Sequence, residues 1–94
     1  MNIFKYEFSV EDRVEIPTHK LEKILHFDTR VQNKVAGRLC MWAIVNPDTG
    51  PDHDLHTFYV VGTGHPMPFD KSLEHLATVM DGPYVWHIFR EVPK

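Results

Sequence analysis

Along much of this chain polar and apolar residues alternate one for one, and a side-chain period of two belongs to extended strands, not helices. In residues 3–10 the even positions Phe4, Tyr6, Phe8 and Val10 are apolar, while Lys5, Glu7 and Ser9 are polar. One face of such a strand is built for burial. Arg13 to Ile16 repeats the pattern with Val14 and Ile16. Glu11-Asp12 reads as a short turn between the two, giving an N-terminal hairpin that Pro17 stops. Leu39 to Val45, LCMWAIV, is apolar on both faces and predicts a central strand covered on each side. His56 to Gly62 sets Phe58 and Val60 against Tyr59 and Val61. A last hairpin joins Thr78 to Met80, through the Asp81-Gly82-Pro83 turn, to a strand over Tyr84 to Val92. There Tyr84, Trp86 and Ile88 oppose Val85, His87 and Phe89.

Other stretches are less regular. Between Thr18 and Arg30, Leu21, Ile24 and Leu25 fit a helical face, while Leu25, Phe27 and Thr29 alternate as a strand. The neighbouring β pattern favours a strand from about Lys23 to Thr29. A polar connection covers residues 31–37, and Asn46 to Asp54, with Pro47, Gly50 and Pro51, is a loop. Ser72 to Leu76 suits one helical turn with Ser72 as its N-cap. The sum is a single mainly β domain over residues 1–94, with five to seven strands and at most one or two short helices. It predicts a small antiparallel sandwich or a partly closed barrel.

Composition narrows what such a domain can do. With 43% apolar residues against 24% charged, the chain carries enough to bury a core, unlike a disordered segment. One cysteine, Cys40, excludes a disulfide scaffold, and its neighbours Leu39 and Met41 suit a buried thiol. No run approaches the roughly 18 apolar residues of a membrane-spanning helix, and MNIFKYEFSV has no signal-peptide pattern. A soluble, intracellular protein without a membrane partner is expected. The formal charge of −3 is mixed along the chain, which argues against a duplex nucleic acid partner. Seven histidines are many for 94 residues, and protonating all of them would reverse the sign of that charge. A chain of this length buries only roughly two thirds of its unfolded surface, so an oligomer would help it.

Few residues carry recognisable chemistry. Gly62-Thr63-Gly64-His65 places two glycines where backbone N–H groups can converge on a phosphate, with the Thr63 hydroxyl as a further donor. His65, when protonated, adds a charge-assisted bond. The other reading is a tight turn whose glycines supply positive φ, since the lysine and following helix of a P-loop are missing. Trp86 and His87 point to opposite faces of one strand, so only one of them lines a given pocket. His87 and Arg90 are candidate polar contacts; Trp86 is a core member or a stacking platform for a base. Trp42 reads as core, and Tyr59 and Tyr84 as pocket edges. Asp52, His53, Asp54 and His56 have metal-ligand chemistry but no second cluster to complete a set, so no metal is expected. His19, His26 and His75 read as surface residues. No G-x-S-x-G and no H-x-T pair is present, and Cys40 lies mid-strand, so neither catalysis nor a cofactor is expected.

Three stretches carry a resemblance: Leu39 to Val45 (LCMWAIV) followed by Asn46-Pro47, then Phe58 to Pro68 (FYVVGTGHPMP), then Gly82 to Phe89 (GPYVWHIF). Their order W-A-x-V-x-P, F-x-V-x-G-T-G-H-P and V-W-H-x-F is similar to a widespread family of small, mostly phage-encoded domains known only as a domain of unknown function. The resemblance covers nearly the whole chain, and it departs at residues 30–36, which are longer than the family leads one to expect. Phage proteins of this size and β-rich build include anti-CBASS sponges, which hold a cyclic dinucleotide alarm signal without hydrolysing it. The resemblance therefore implies an immune-evasion protein of the infected bacterial cytoplasm. It implies a homo-oligomer, dimer or tetramer, that binds a cyclic di- or oligonucleotide through Gly62, Thr63, Gly64, His65, Tyr84, Trp86, His87 and Arg90. An alternative of another class is an inhibitor that docks on a host or defence enzyme through a sheet edge or acidic face.

Overall fold

The computed structural model describes residues 1–29, 36–68 and 70–92. Seven strands run through them: β1 (Asn2–Ser9), β2 (Arg13–Thr18), β3 (Lys20–Thr29), β4 (Arg38–Asn46), β5 (Asp54–Gly62), β6 (Leu73–Asp81) and β7 (Tyr84–Glu91). They form two antiparallel sheets, one of three strands in the order β1-β4-β3 and one of four in the order β2-β5-β7-β6. Neither sheet closes on itself, so the sandwich, not the barrel, is the architecture. Among the described residues there is no helix, and so none long and apolar enough to cross a membrane.

Alternation sends one side of each strand inward. Phe8, Phe27, Leu39, Met41, Ala43 and Val45 from the first sheet meet Val14, Ile16, Phe58, Val60, Val79 and Ile88 from the second. Phe27 joins the layers, edge-to-face with Phe8 at 6.2 Å and with Phe58 at 5.5 Å between ring centroids. Each such contact adds about 0.5–1.5 kcal/mol beyond the buried area. The central position expected for the LCMWAIV strand is observed: β4 lies between β1 and β3.

Six sequence expectations are corrected. β1 and β2 do not form a hairpin; β1 pairs with β4 and β2 with β5. The link between them crosses from one sheet to the other, tied to the first by Val10 N–H donating to Gly37 O and to the second by Val60 N–H donating to Asp12 O. Pro17 does not stop β2, which runs on to Thr18 with Pro17 opposite Leu55. β3 begins at Lys20, and its register slips between Leu21 and Lys23 and again between Ile24 and His26. Each slip inserts a residue, so Leu21, Ile24 and Phe27 reach the core at a spacing of three that mimics a helix. Ser72 to Leu76 forms no helical turn. It leads into β6, where a shift between His75 and Ala77 breaks the alternation, and Ser72 O accepts from Val92 N–H. Trp42 is half-buried on the outer side of β4, paired across to Lys5 and His26, because a strand apolar on both sides conceals which side faces in. His19 is half-buried too, its ring 5.1 Å from Phe4 and its Nδ1 3.2 Å from the Tyr6 hydroxyl. Cys40 is buried, and residues 30–35, most of the polar connection, lie outside the described residues.

Two carboxylates of the second sheet hold backbone of the first. Asp81 Oδ2 accepts from Gly37 N–H at 2.7 Å and from Trp86 Nε1–H at 3.0 Å. Asp54 Oδ2 accepts from Leu21 N–H at 2.9 Å. Gly37 precedes β4 and Leu21 pairs with Val45 near its far end, so these ties sit at opposite ends of the central strand.

Candidate functional site

β5 outlasts its partner. β2 begins at Arg13, opposite Tyr59, whereas β5 continues to Gly62. After Gly62 the chain turns sharply: His65 N–H donates to Gly62 O at 3.0 Å, and Thr63 N–H donates to Val85 O at 3.1 Å. Gly64 takes φ +90°, where any side chain is strained. Gly62 makes room for a side chain, since a Cβ there would stand 2.8 Å from His65 Nδ1 and 3.2 Å from Trp86 Cζ3 and the exposed imidazole would have to move aside. The two glycines thus let the chain double back with the His65 ring laid over its own strand.

This geometry leaves a groove of about 480 Å³ past the end of β2. Asp12 and Arg13 form one wall, His65, Pro66, Met67 and Pro68 the other, and Tyr59, Val60 and Val61 the floor. Its volume falls in the range of small-molecule sites, with an aromatic and aliphatic floor and a few polar groups at the edge. The Arg13 guanidinium lies 2.6 Å from Glu15 and is more than half exposed. Lys71 Nζ stands 5.5 Å over the Tyr59 ring. A side-chain hydrogen bond to Tyr59, helped by the charges of Glu91 and Asp70, holds the Lys71 ammonium above its ordinary pKa.

Next to the turn, on the outer face of the second sheet, runs a chain of hydrogen-bonded side chains. Thr63 Oγ1 lies 2.8 Å from His87 Nε2, His87 Nδ1 lies 3.0 Å from Thr78 Oγ1, and Thr78 Oγ1 lies 2.9 Å from His75 Nε2. Both ring nitrogens of His87 are therefore engaged within the protein.

Of the eight residues singled out in the sequence, Gly62, Thr63, Gly64 and His65 form the turn, and His87 joins them through Thr63. His65 alone of the eight lines the groove. Trp86 lies on the opposite side of β7 from His87, packed on the core and against Gly62, with Tyr84 stacked on it at 5.6 Å. Arg90 pairs across to Phe58, four residues along from Gly62, and donates to Glu74. Tyr59, expected at a pocket edge, lines the floor of the groove, and Tyr84, expected there too, is not among its lining residues. Asp12, Arg13 and Pro66 to Pro68 were not foreseen: the Pro-x-Pro stretch carried a local signal, whereas Asp12 and Arg13 are brought in only by the β2–β5 pairing. Among the described residues no three His, Cys, Asp or Glu side chains gather as a metal set; Asp54 is occupied by Leu21 N–H and by His53 Nδ1 at 3.2 Å.

Comparison with protein families matches residues 1–94 to a domain of unknown function, DUF7352. This chain belongs to the DUF7352 family. No curated protein and no solved structure matches it. Within this DUF7352 chain the stretches that carried the resemblance occupy β4, β5 with the following turn, and β7.

Proposed function

We propose that this chain is a phage immune-evasion protein that binds and sequesters a cyclic di- or oligonucleotide defence signal without hydrolysing it, as a homo-oligomer in the cytoplasm of the infected bacterium. The observation that carries the reading is the groove beside the Gly62–His65 turn. A purine would stack on Tyr59, which is 8% exposed, by displacing the Lys71 ammonium from its ring, at about 1–3 kcal/mol per stacked base. Arg13 and His65 on facing walls, together with the turn's backbone, suit a phosphodiester. The engaged His87 positions Thr63 and makes no direct demand on the ligand.

Calorimetric titration against a panel of cyclic di- and trinucleotides tests this. Saturable binding by one of them is expected, with the ligand recovered intact by chromatography. Gly62→Ala should displace the His65 ring and weaken binding about tenfold or more while the far-UV spectrum is retained. Absence of heat with every member of the panel would overturn the reading, and full affinity in Gly62→Ala would remove the groove from the site.

One observation favours a docking inhibitor instead. On the outer face of the first sheet Ile3, 62% exposed, lies across from Ile44, and Trp42 lies two pairs further on, across from Lys5. Capture of a single stoichiometric host enzyme, lost on Trp42→Ala, would support that reading over the sponge.

A further inference from the structure

A sandwich of two open sheets has four edges, here β1 and β3 in the first sheet and β2 and β6 in the second. Exposed edges invite pairing with another chain, and natural proteins blunt them with prolines, bulges or charges. β2 is six residues long and carries Pro17. β3 is interrupted by two register shifts and β6 by one. β1 has neither proline nor bulge: it runs from Asn2 to Ser9 without glycine, in unbroken register against β4. Its only charges are Lys5 and Glu7, both on the outer face of the sheet, where they lie 3.5 Å apart and Arg38 stands 3.8 Å from Glu7.

Those two charges fix what the edge accepts. In an antiparallel pair, residues opposite each other share a face, so only registers that set odd positions against odd and even against even keep the buried side buried. Centring such a pair on Lys5 sets Lys5 against Lys5, and centring it on Glu7 sets Glu7 against Glu7. Centring it on Tyr6 places Lys5 opposite Glu7 of the other copy twice over. It also sets Phe4 opposite Phe8 on the inner side, and Ile3 through Ser9 of each copy take part. Opposite charges and aromatic pairs directly across from one another stabilise a sheet, and like charges destabilise it.

We propose that β1 is a self-association edge, pairing antiparallel with β1 of a second copy about Tyr6 to join two three-stranded sheets into one of six. The inference deepens the oligomer element of the proposed function and is independent of the nucleotide. Strand-edge contact lies at the small end of specific interfaces, so the dimer is concentration-dependent.

Sedimentation velocity over a wide concentration range, without nucleotide, tests it on the wild type, Lys5→Glu, Glu7→Lys and the Lys5→Glu/Glu7→Lys double variant. Each single change makes both inter-copy pairs repulsive, as well as the Lys5–Glu7 pair within each strand, and should weaken dimerisation about tenfold, while the double change restores these pairs. Far-UV spectra confirm that all four chains are folded. A monomer at every concentration would overturn the proposal, as would a dimer indifferent to the single changes or a double variant as weak as either. Nucleotide binding by a protein that stays monomeric would sink this edge without touching the ligand reading; a dimer that binds no nucleotide would do the reverse.

Discussion

Asp81 is 8% exposed, and its carboxylate accepts both the Gly37 N–H and the Trp86 Nε1–H. Hydrogen bonds to a charged group contribute about 1.5–3 kcal/mol each, and removing the acceptor leaves the donors unsatisfied. Asp81→Ala should therefore cost about 3 kcal/mol in urea denaturation, with a red shift of Trp86 fluorescence; a loss under about 1 kcal/mol would contradict this role. His56 makes a second residue-scale case. It stacks on Phe58 at 6.4 Å, its Nε2 is buried without a hydrogen bond, and the nearest carboxylate, Asp54, is 3.8 Å away. Burial pushes its pKa below the ordinary 6.5, opposed by Asp54 and reinforced by Arg90. Below about pH 6.5 the unfolded chain binds this proton more readily than the folded one, so stability falls as the pH drops through that window. Chemical denaturation at pH 7 and pH 5 should show a smaller loss for His56→Leu than for the wild type. An equal loss in both would exclude His56 as a source of the slope.

At the scale of elements, alternation made strands legible and left their partners hidden. Val14 and Ile16 announce β2, but nothing within residues 10–12 says that the chain changes sheets there, because the bonds that decide it go to Gly37 and Val60. Leu21, Ile24 and Phe27 show how two bulges counterfeit a helical period; the neighbouring strands, not the segment itself, pointed the right way. The Gly62–His65 turn was legible from its glycines: Gly64 supplies a positive φ, and Gly62 leaves room for the ring that lies on it. The opposite wall of the groove was not legible. Asp12 and Arg13 look like any charged link, and they become a wall only because β2 starts three residues short of the end of β5. Trp42 was misplaced for a related reason: in LCMWAIV parity has no polar residue to mark it.

The whole molecule is a thin slab, 41 × 39 × 17 Å across its Cα atoms. Its accessible surface of 6106 Å² exceeds the about 5,600 Å² typical of a compact chain of this mass. Each strand has one side inward and little interior lies beyond a single layer of side chains, and the groove sits at a strand end. With so shallow a core, what resists separation of the layers matters as much as what fills it. The Asp54 and Asp81 ties meet the first sheet at opposite ends of β4, through the amides of Leu21 and Gly37. Those two amide protons cannot reach solvent until their carboxylate lets go, which makes them a pair of gauges for how the slab opens. Native-state hydrogen exchange should find them equally slow, as expected if the faces part all at once. Leu21 exchanging much faster than Gly37, or the reverse, would mean that the protein opens like a book along one spine.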